Sequence, residues 1–433
     1  MKQQLNGNKN NDISDNITTH TQKKRVLSLF SGCGGMDIGF EGGFKCLKRC
    51  INTNLHPNWI QFDDGDWITV SSTNFETVFA NDIRPDAKSA WVSYFQRRYE
   101  NANELYRLDS IVDLVKRAKN GERVFPDNID VVTGGFPCQD FSVAGKRKGF
   151  NSEKSHNGEK LETNEPSIEN RGQLYMWMKD VVTLVKPSIF IAENVKGLTT
   201  LEDAKAVIEH DFASAADGGY LVIPARILQA ANFGVPQSRE RVIFYGFKRN
   251  ALTHEALNAL TDLSNHPEFD PYPIPTHAYS EVGEFLYPFV TCREMLENLD
   301  EPETAIDISQ TKYSKAKYIP HGQGNIEIKL DSISPTIRSE HHGNIEFRRL
   351  NSENGGINED ELAQGLLQRR LTVRECARLQ TFPDDYQFIL SKTPENKAVS
   401  ASDAYKIIGN AVPCILAYNI AQRLSENWDK YFK

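Results

Sequence analysis

Nothing in the chain approaches the ~20 consecutive apolar residues that a helix needs to cross a bilayer. Yet 39% of its 433 residues are hydrophobic, enough for a sizeable core. There is no basic excess either. The formal net charge is −8, so no global signal announces a nucleic-acid partner, although only the surface that meets phosphates has to be basic. Cysteine is sparse: the seven, at 33, 46, 50, 138, 292, 376 and 414, are odd in number and scattered. Cys46 and Cys50 are the only close pair, with no second Cys/His pair to complete a zinc site. This usage suits a reduced, cytoplasmic protein without structural metal, not a disulfide framework. Residues 1–24 are Asn-, Gln- and Lys-rich and lack an apolar stretch, and read as a disordered tail, neither leader nor anchor. The length suits one large domain with an appendage, or two or three domains.

What is present centres on Gly134-Gly135-Phe136-Pro137-Cys138-Gln139. It follows Ile129–Thr133, an apolar, β-branched run of the kind that forms a buried strand. The glycines permit a sharp turn and Pro137 fixes the next φ. Cys138 is thereby aimed out of the strand's carboxyl end, where open α/β sheets bind ligands. A lone cysteine is ordinarily a small buried hydrophobe; this string is a rarer context.

Upstream, Arg25–Phe30 reads as a first strand running into Ser31-Gly32-Cys33-Gly34-Gly35 and a helix. Such a turn could serve a dinucleotide, S-adenosylmethionine or only a tight bend. The spacing is Phe-x-Gly-x-Gly-Gly, not Gly-x-Gly-x-x-Gly, which argues against a dinucleotide pyrophosphate. A second strand, 78–80, ends at Asn81-Asp82; an acid there accepts ribose hydroxyls or caps a helix. Asp109 precedes the helix-like 112–119, where a cap is again the ordinary role. Asp63-Asp64-Gly65-Asp66 reads as a hairpin tip, its spacing unlike a calcium loop.

Leu174, Trp177, Met178, Val181, Val182 and Val185 form one helical stripe, which is core. Ser188–Ala192 is a strand that delivers Glu193-Asn194-Val195. Gln237, Arg239 and Arg241 alternate and would line one cleft; an edge strand with surface ion pairs is the plainer reading. From about 248 to 368 the βα rhythm gives way to Pro-, His-, Asn- and Glu-rich stretches, a smaller irregular domain. Basic clusters (146–148, 348–349, 369–370 with 374 and 378) are solvated faces or phosphate contacts. The His341-His342 pair lacks partners at metal-ligand spacing. Arg370–Pro383 reads as a helix stopped by proline. In a last helix, Cys414, Ala417, Ala421 and Leu424 share a face.

These motifs run in order from residue 26 to about 425 and resemble those of the DNA (cytosine-5) methyltransferase family, bacterial type. The resemblance implies an α/β, doubly wound, Rossmann-like S-adenosylmethionine-dependent methyltransferase domain with a smaller irregular target-recognition domain. Its parts would be 25–249 (catalytic and cofactor-binding), 250–368 (target recognition) and 369–433 (a return to the catalytic domain). It implies Cys138 as the nucleophile on C6 of a flipped-out cytosine, with Glu193, Arg239 and Arg241 as the other catalytic residues. S-adenosyl-L-methionine would be held by Phe30, Ser31, Gly32, Cys33, Gly34, Gly35, Asp82, Ile83, Asp109, Pro137, Leu174, Asn410 and Ala411; the family usually has an aromatic where this chain has Ile83. Double-stranded DNA would meet Gln139, Lys146, Arg147, Lys148, Arg338, His341, His342 and Arg348, with the loop 139–170 closing as a lid. No metal is implied. The protein would be a monomer, off the membrane, either paired in its host with a separately encoded restriction endonuclease or a solitary bacterial or phage methylase. A tRNA-directed branch shares these motifs but carries a Cys-Phe-Thr signature absent here. An inactive binding paralogue would lack the Cys or the Glu, and amino-directed enzymes need an Asp/Asn-Pro-Pro-aromatic motif that does not occur.

Overall fold

The β-branched and aromatic runs become the strands of one seven-stranded sheet. The computed structural model describes residues 22–136, 174–200, 204–279, 285–339 and 343–433. Its strands are β1 (Lys24–Leu29), β2 (Phe75–Asn81), β3 (Tyr106–Arg107), β4 (Val131–Gly134), β5 (Ile189–Val195), β6 (Tyr220–Gln229) and β7 (Glu240–Lys248). They lie in the order β3-β2-β1-β4-β5-β7-β6. Neighbours pair in parallel except β7, which runs antiparallel to both β5 and β6. The order reverses between β1 and β4. In such sheets the crevice beyond the carboxyl ends at this switch is where ligands bind.

Successive strand residues point to opposite faces, and the two halves of the core follow from this. Val26, Ile189, Ile191 and Ile243 enter one apolar cluster, while Leu27, Phe190, Ala192 and Val242 enter the other. Its helices include α1 (Gly35–Glu41), α2 (Pro85–Phe95), α3 (Ile111–Lys119), α4 (Leu174–Val185), α5 (Ala204–Ala213), α6 (Val373–Leu379), α7 (Ala401–Asn410) and α8 (Cys414–Tyr431). The stripe expected on α4 is buried from Leu174 to Val182, and Val185 packs against it part-buried. The C-terminal α8 lies along α1, so closely that a Cβ on Gly39 would sit 2.4 Å from Ala417 Cβ and 2.5 Å from the Cys414 carbonyl. Its expected inner face is buried, and so are Ile415, Leu416, Tyr418 and Ile420. Among the described residues no helix is long and apolar enough to cross a membrane.

Residues 45–70 form a three-stranded antiparallel sheet with a hairpin tip at 63–66, where Gly65 has φ +79°. Lys45 and Lys48 pair with Asp64 and Asp63 at 2.9 and 2.6 Å. The segment after its first strand brackets the recognition region. Asn52 Nδ2 donates to the carbonyls of Thr276 (3.0 Å) and Phe285 (2.7 Å). His277 Nε2 lies 2.9 Å from the Arg49 carbonyl.

The basic clusters at 349, 369–370, 374 and 378 are neither solvated nor turned to a phosphate surface: all five arginines are buried. Arg349 and Arg369 share Glu301, Arg369 also meets Glu375 at 2.8 Å, and Arg374 and Arg378 take Asp307 and Asp384. Irregular chain leaves many carbonyls outside any ladder, and five-donor guanidinium groups satisfy them. Glu301 shows the consequence: burial alone would raise its pKa, but Arg349 and Arg369 hold it down to about 2. The helix α6 ends at Leu379, before Pro383. Its stop is the turn at Gln380 and Thr381, the latter at φ +59°, so the proline lies beyond the stop.

Candidate active site

The glycine-rich turn leaves β1 with Phe30 at φ +53° and Gly32 at φ +54°. A Cβ on Gly32 would meet nothing within 4 Å, so the backbone there borders open space. Gly34 and Gly35 are glycine for the opposite reason. A Cβ on the first would come 2.6 Å from the Trp91 ring, and on the second 2.2 Å from the Val412 carbonyl. The turn is tied to β2: Ser31 N–H donates to the Asn81 carbonyl (2.8 Å), and Asn81 N–H donates to Ser31 Oγ (3.0 Å). Cys33 points away from the crevice. Its thiol donates to the Ile407 carbonyl at 3.3 Å, leaving only its backbone to face a ligand.

Asp82 accepts the N–H of Gly32 at 3.1 Å and of Arg84 at 3.0 Å. The following α2 has Arg84 at its cap position with no side-chain cap bond, so Asp82 is not that helix's cap. Burial raises the Asp82 pKa, against the pull of these two amides. Beside it Ile83 and Leu108 are 43% and 41% exposed, two apolar side chains at the mouth of the crevice. Asp109 is not a helix cap either; Ser110 caps α3 by accepting Val112 N–H. Asn81 Nδ2 bonds the carbonyls of Arg107 (2.9 Å) and Asp109 (2.8 Å), pinning that loop beside β2. Leu174 is buried at the start of α4, Asn410 is exposed, and Ala411 lies against Gly35.

Across the switch point β5 carries Glu193, paired one step beyond the Gly134–Ala192 register. Its carboxylate lies so close to Gly135 that a Cβ there would be 2.8 Å from Oε2. Arg241 sits diagonally across on β7, opposite Val195, and its Nε meets Glu193 Oε1 at 2.7 Å. Both side chains are about nine-tenths buried. Burial pushes the Glu193 pKa up, with Arg241 opposing. A carboxyl so held is poised between donating a proton and balancing a guanidinium.

The expectation of three residues in one cleft holds for Arg241 alone. Arg239 instead donates to the carbonyls of Ile337 (2.9 Å), Gly409 (2.8 Å) and Ala411 (2.8 Å), fully buried. Gln237 Nε2 donates to the Leu379 carbonyl at 3.0 Å. Both precede β7, where the chain still turns, so strand alternation does not govern them. Arg348 is likewise no free cation: it pairs with Glu361 at 2.7 Å with only 13% of its side chain exposed. Arg338 bonds Gln323 (3.1 Å), the Asn344 carbonyl (2.9 Å) and Glu346 (3.2 Å). Pro137, Cys138, Gln139, Lys146, Arg147, Lys148, His341 and His342 lie outside the described residues, as do the expected lid and residues 1–21 of the expected tail, whose last residue, Lys24, already opens β1.

One residue had no role assigned from sequence. Asn194 Nδ2 donates to the carbonyl of Phe136 at 3.2 Å, so the residue after Glu193 holds the chain two positions before Cys138. Its adjacency in Glu-Asn-Val was the available signal.

A family model described as C-5 cytosine-specific DNA methylase matches residues 24–426. The type II methyltransferase M.BsuRI of Bacillus subtilis is 30% identical over 98% of this chain and 84% of its own length. The type II methyltransferase M.NgoFVII of Neisseria gonorrhoeae is 31% identical over 96% and 91%. Among solved structures, the methyltransferase EhMeth of Entamoeba histolytica superposes with a TM-score of 0.53 over 94% of this chain and 99% of that one, at 14% identity.

Proposed function

This chain belongs to the C-5 cytosine-specific DNA methylase family and methylates cytosine at C5 in DNA, and we propose that Cys138, Glu193 and Arg241 carry the reaction at the β1/β4 switch point. The observation that supports this reading is the buried Glu193–Arg241 pair set against Gly135, three residues before the thiol.

The family implies S-adenosyl-L-methionine as methyl donor, and the residues beside β1 and β2 suit it. Gly32 borders open space, Asp82 is an acid beside it, and Ile83 and Leu108 offer apolar surface to an adenine. Phe30, Ser31, Gly32, Asp82, Ile83, Asp109, Leu174, Asn410 and Ala411 would hold it, with Pro137. When bound, it supplies an electrophilic methyl group.

Cytosine C5 is a poor nucleophile. Addition of the Cys138 thiolate at C6 makes it enamine-like, and the thiolate is the reactive form. A free cysteine offers only a few per cent thiolate at neutral pH; positive charge from Arg241, or from Arg239, whose field also reaches Glu193, raises that fraction. As the thiolate adds, electron density moves toward N3, where a protonated Glu193 donates. Arg241 holds O2 and stabilises the developing charge. Once C5 has taken the methyl group, water removes the C5 proton, N3 returns its proton to Glu193 and the C6–S bond breaks, releasing the Cys138 thiolate. A base inside a duplex cannot enter such a crevice, so the nucleotide is flipped out. The target is a specific duplex sequence. The protein acts as a monomer, as the modification partner of a separately encoded restriction endonuclease.

Bisulfite sequencing of DNA from cells expressing the chain tests this. The wild type should protect cytosines within one short sequence and Cys138→Ser none; protection by the variant would overturn the assignment.

A further inference from the structure

Arg370 is 1% exposed and spends its guanidinium on one stretch of chain. Nε donates to the Ala316 carbonyl (2.8 Å), Nη2 to the Lys317 carbonyl (3.0 Å) and Asn325 Oδ1 (2.8 Å), and Nη1 to the carbonyls of Gly324 (2.7 Å) and Ile345. The group also lies over the Phe347 ring, 4.1 Å from its centroid. A planar five-donor fork filled in this way fixes the path of the backbone around it.

The side chains that path presents are cationic. Residues 312–319 belong to no helix or ladder and enter through a bridge between Tyr313 and Thr372. Lys312, Lys315 and Lys317 are all exposed, and the Arg370 bonds to the Ala316 and Lys317 carbonyls hold the backbone beside the last two. Lys315 is stacked on Tyr313, its Nζ 3.4 Å from the ring centroid. Among the described residues none of the three is paired with a carboxylate. The strip is also coupled to the crevice. Arg338 joins Gln323 to the Asn344 carbonyl, and Ile337, the residue before it, takes Arg239 just upstream of Arg241.

We infer that Lys312, Lys315 and Lys317 form a preorganised phosphate-contacting strip through which this chain holds duplex DNA. The inference rests on the DNA-methylating reading above and adds a surface to it. A chain of net charge −8 has to concentrate positive charge locally to meet a polyanion. Three ammonium groups without a carboxylate partner among the described residues do so on a backbone that needs no further ordering, leaving only side-chain ordering to be met on binding.

The test measures binding of the full chain to a fluorescein-labelled 30-base-pair duplex of mixed sequence, by anisotropy, across a salt series. Each phosphate neutralised by a lysine contributes about −0.9 to the slope of log K against log salt. The Lys312→Gln/Lys315→Gln/Lys317→Gln variant should bind more weakly and lose roughly 2 to 3 from the slope's magnitude, with unchanged S-adenosyl-L-methionine binding by calorimetry. A control variant, Arg117→Gln/Lys119→Gln/Arg123→Gln, removes the same charge around the far end of α3, and should leave the slope unchanged. An unchanged slope in the first variant, or an equal fall in both, overturns the strip while leaving the enzyme assignment intact. Failure of the wild type to bind DNA overturns both.

Discussion

Glu193 is the residue on which the chemistry turns most directly. Its carboxyl has to be protonated when it meets N3, and burial raises its pKa while Arg241 pulls the other way. Methylation by the wild type should therefore fall as pH rises through that raised value. Glu193→Gln should lose ~10²- to 10⁴-fold in rate, and its residual rate should rise with pH as thiolate forms, with no alkaline fall; single-turnover rates across pH read both. At this scale much of the site was legible. Glu193 lies near the carboxyl end of β5 and Asp82 immediately follows β2, so both sit where strand ends meet the crevice. Arg239 and Arg348 were not legible. A guanidinium's destination depends on which carbonyls and carboxylates the fold brings to it, and those partners, such as Gly409 and Glu361, are distant or unremarkable in sequence.

Among the elements, α1 and α8 make a contact with no room for a further atom. Gly39 lets the two helices touch backbone to side chain, and a methyl group there would meet Ala417 Cβ at 2.4 Å and the Tyr418 amide nitrogen at 2.7 Å. Gly39→Ala should cost about 1–3 kcal/mol, read by chemical denaturation. Because α1 follows the glycine-rich turn, weaker S-adenosyl-L-methionine binding should accompany it. Gly32→Ala meets no such obstacle, but its positive φ strains any side chain. Strands β1, β2, β4 and β5 could be read from their apolar, β-branched runs and the α4 stripe from its period, whereas β3, two residues long, and β6, exposed at 224, 226 and 227, could not. The sheet at 45–70 could only be read at its hairpin tip. Its strands are short and exposed on one side, with Phe62 61% exposed, and their pairing is fixed by packing against distant residues.

For the whole molecule the joint between that bracket and the recognition region matters, and His277 stands in it. It is 1% exposed, Nδ1 lies 2.8 Å from Thr276 Oγ1, and burial pushes its pKa down to about 4. The unfolded chain takes up a proton near pH 6.5 that the fold refuses until about 4. Stability from this group is thus full above 6.5 and is lost as pH falls toward 4, by at most about 3 kcal/mol. Unfolding free energies should decline over that window in the wild type and less steeply in His277→Gln. That the βα rhythm stops near residue 248 was legible, but not that the chain stays on the catalytic sheet and α8 beyond it: Thr253 N–H donates to the Tyr431 carbonyl (2.9 Å) and Tyr272 Oη to the Ile243 carbonyl (2.8 Å). How the irregular appendage is held was not legible either, because buried arginines such as Arg349, Arg369 and Arg370 look in sequence like a surface patch.

The central claim, a covalent bond between Cys138 and C6 of a flipped cytosine, has one direct measurement. Duplexes carrying 5-fluorocytosine at the modified position lack the C5 proton whose loss frees the enzyme. Incubation with S-adenosyl-L-methionine, digestion and mass spectrometry should yield the peptide containing Cys138 with the nucleotide attached. A trapped nucleotide on any other residue, or methylation without a trapped adduct, would contradict it.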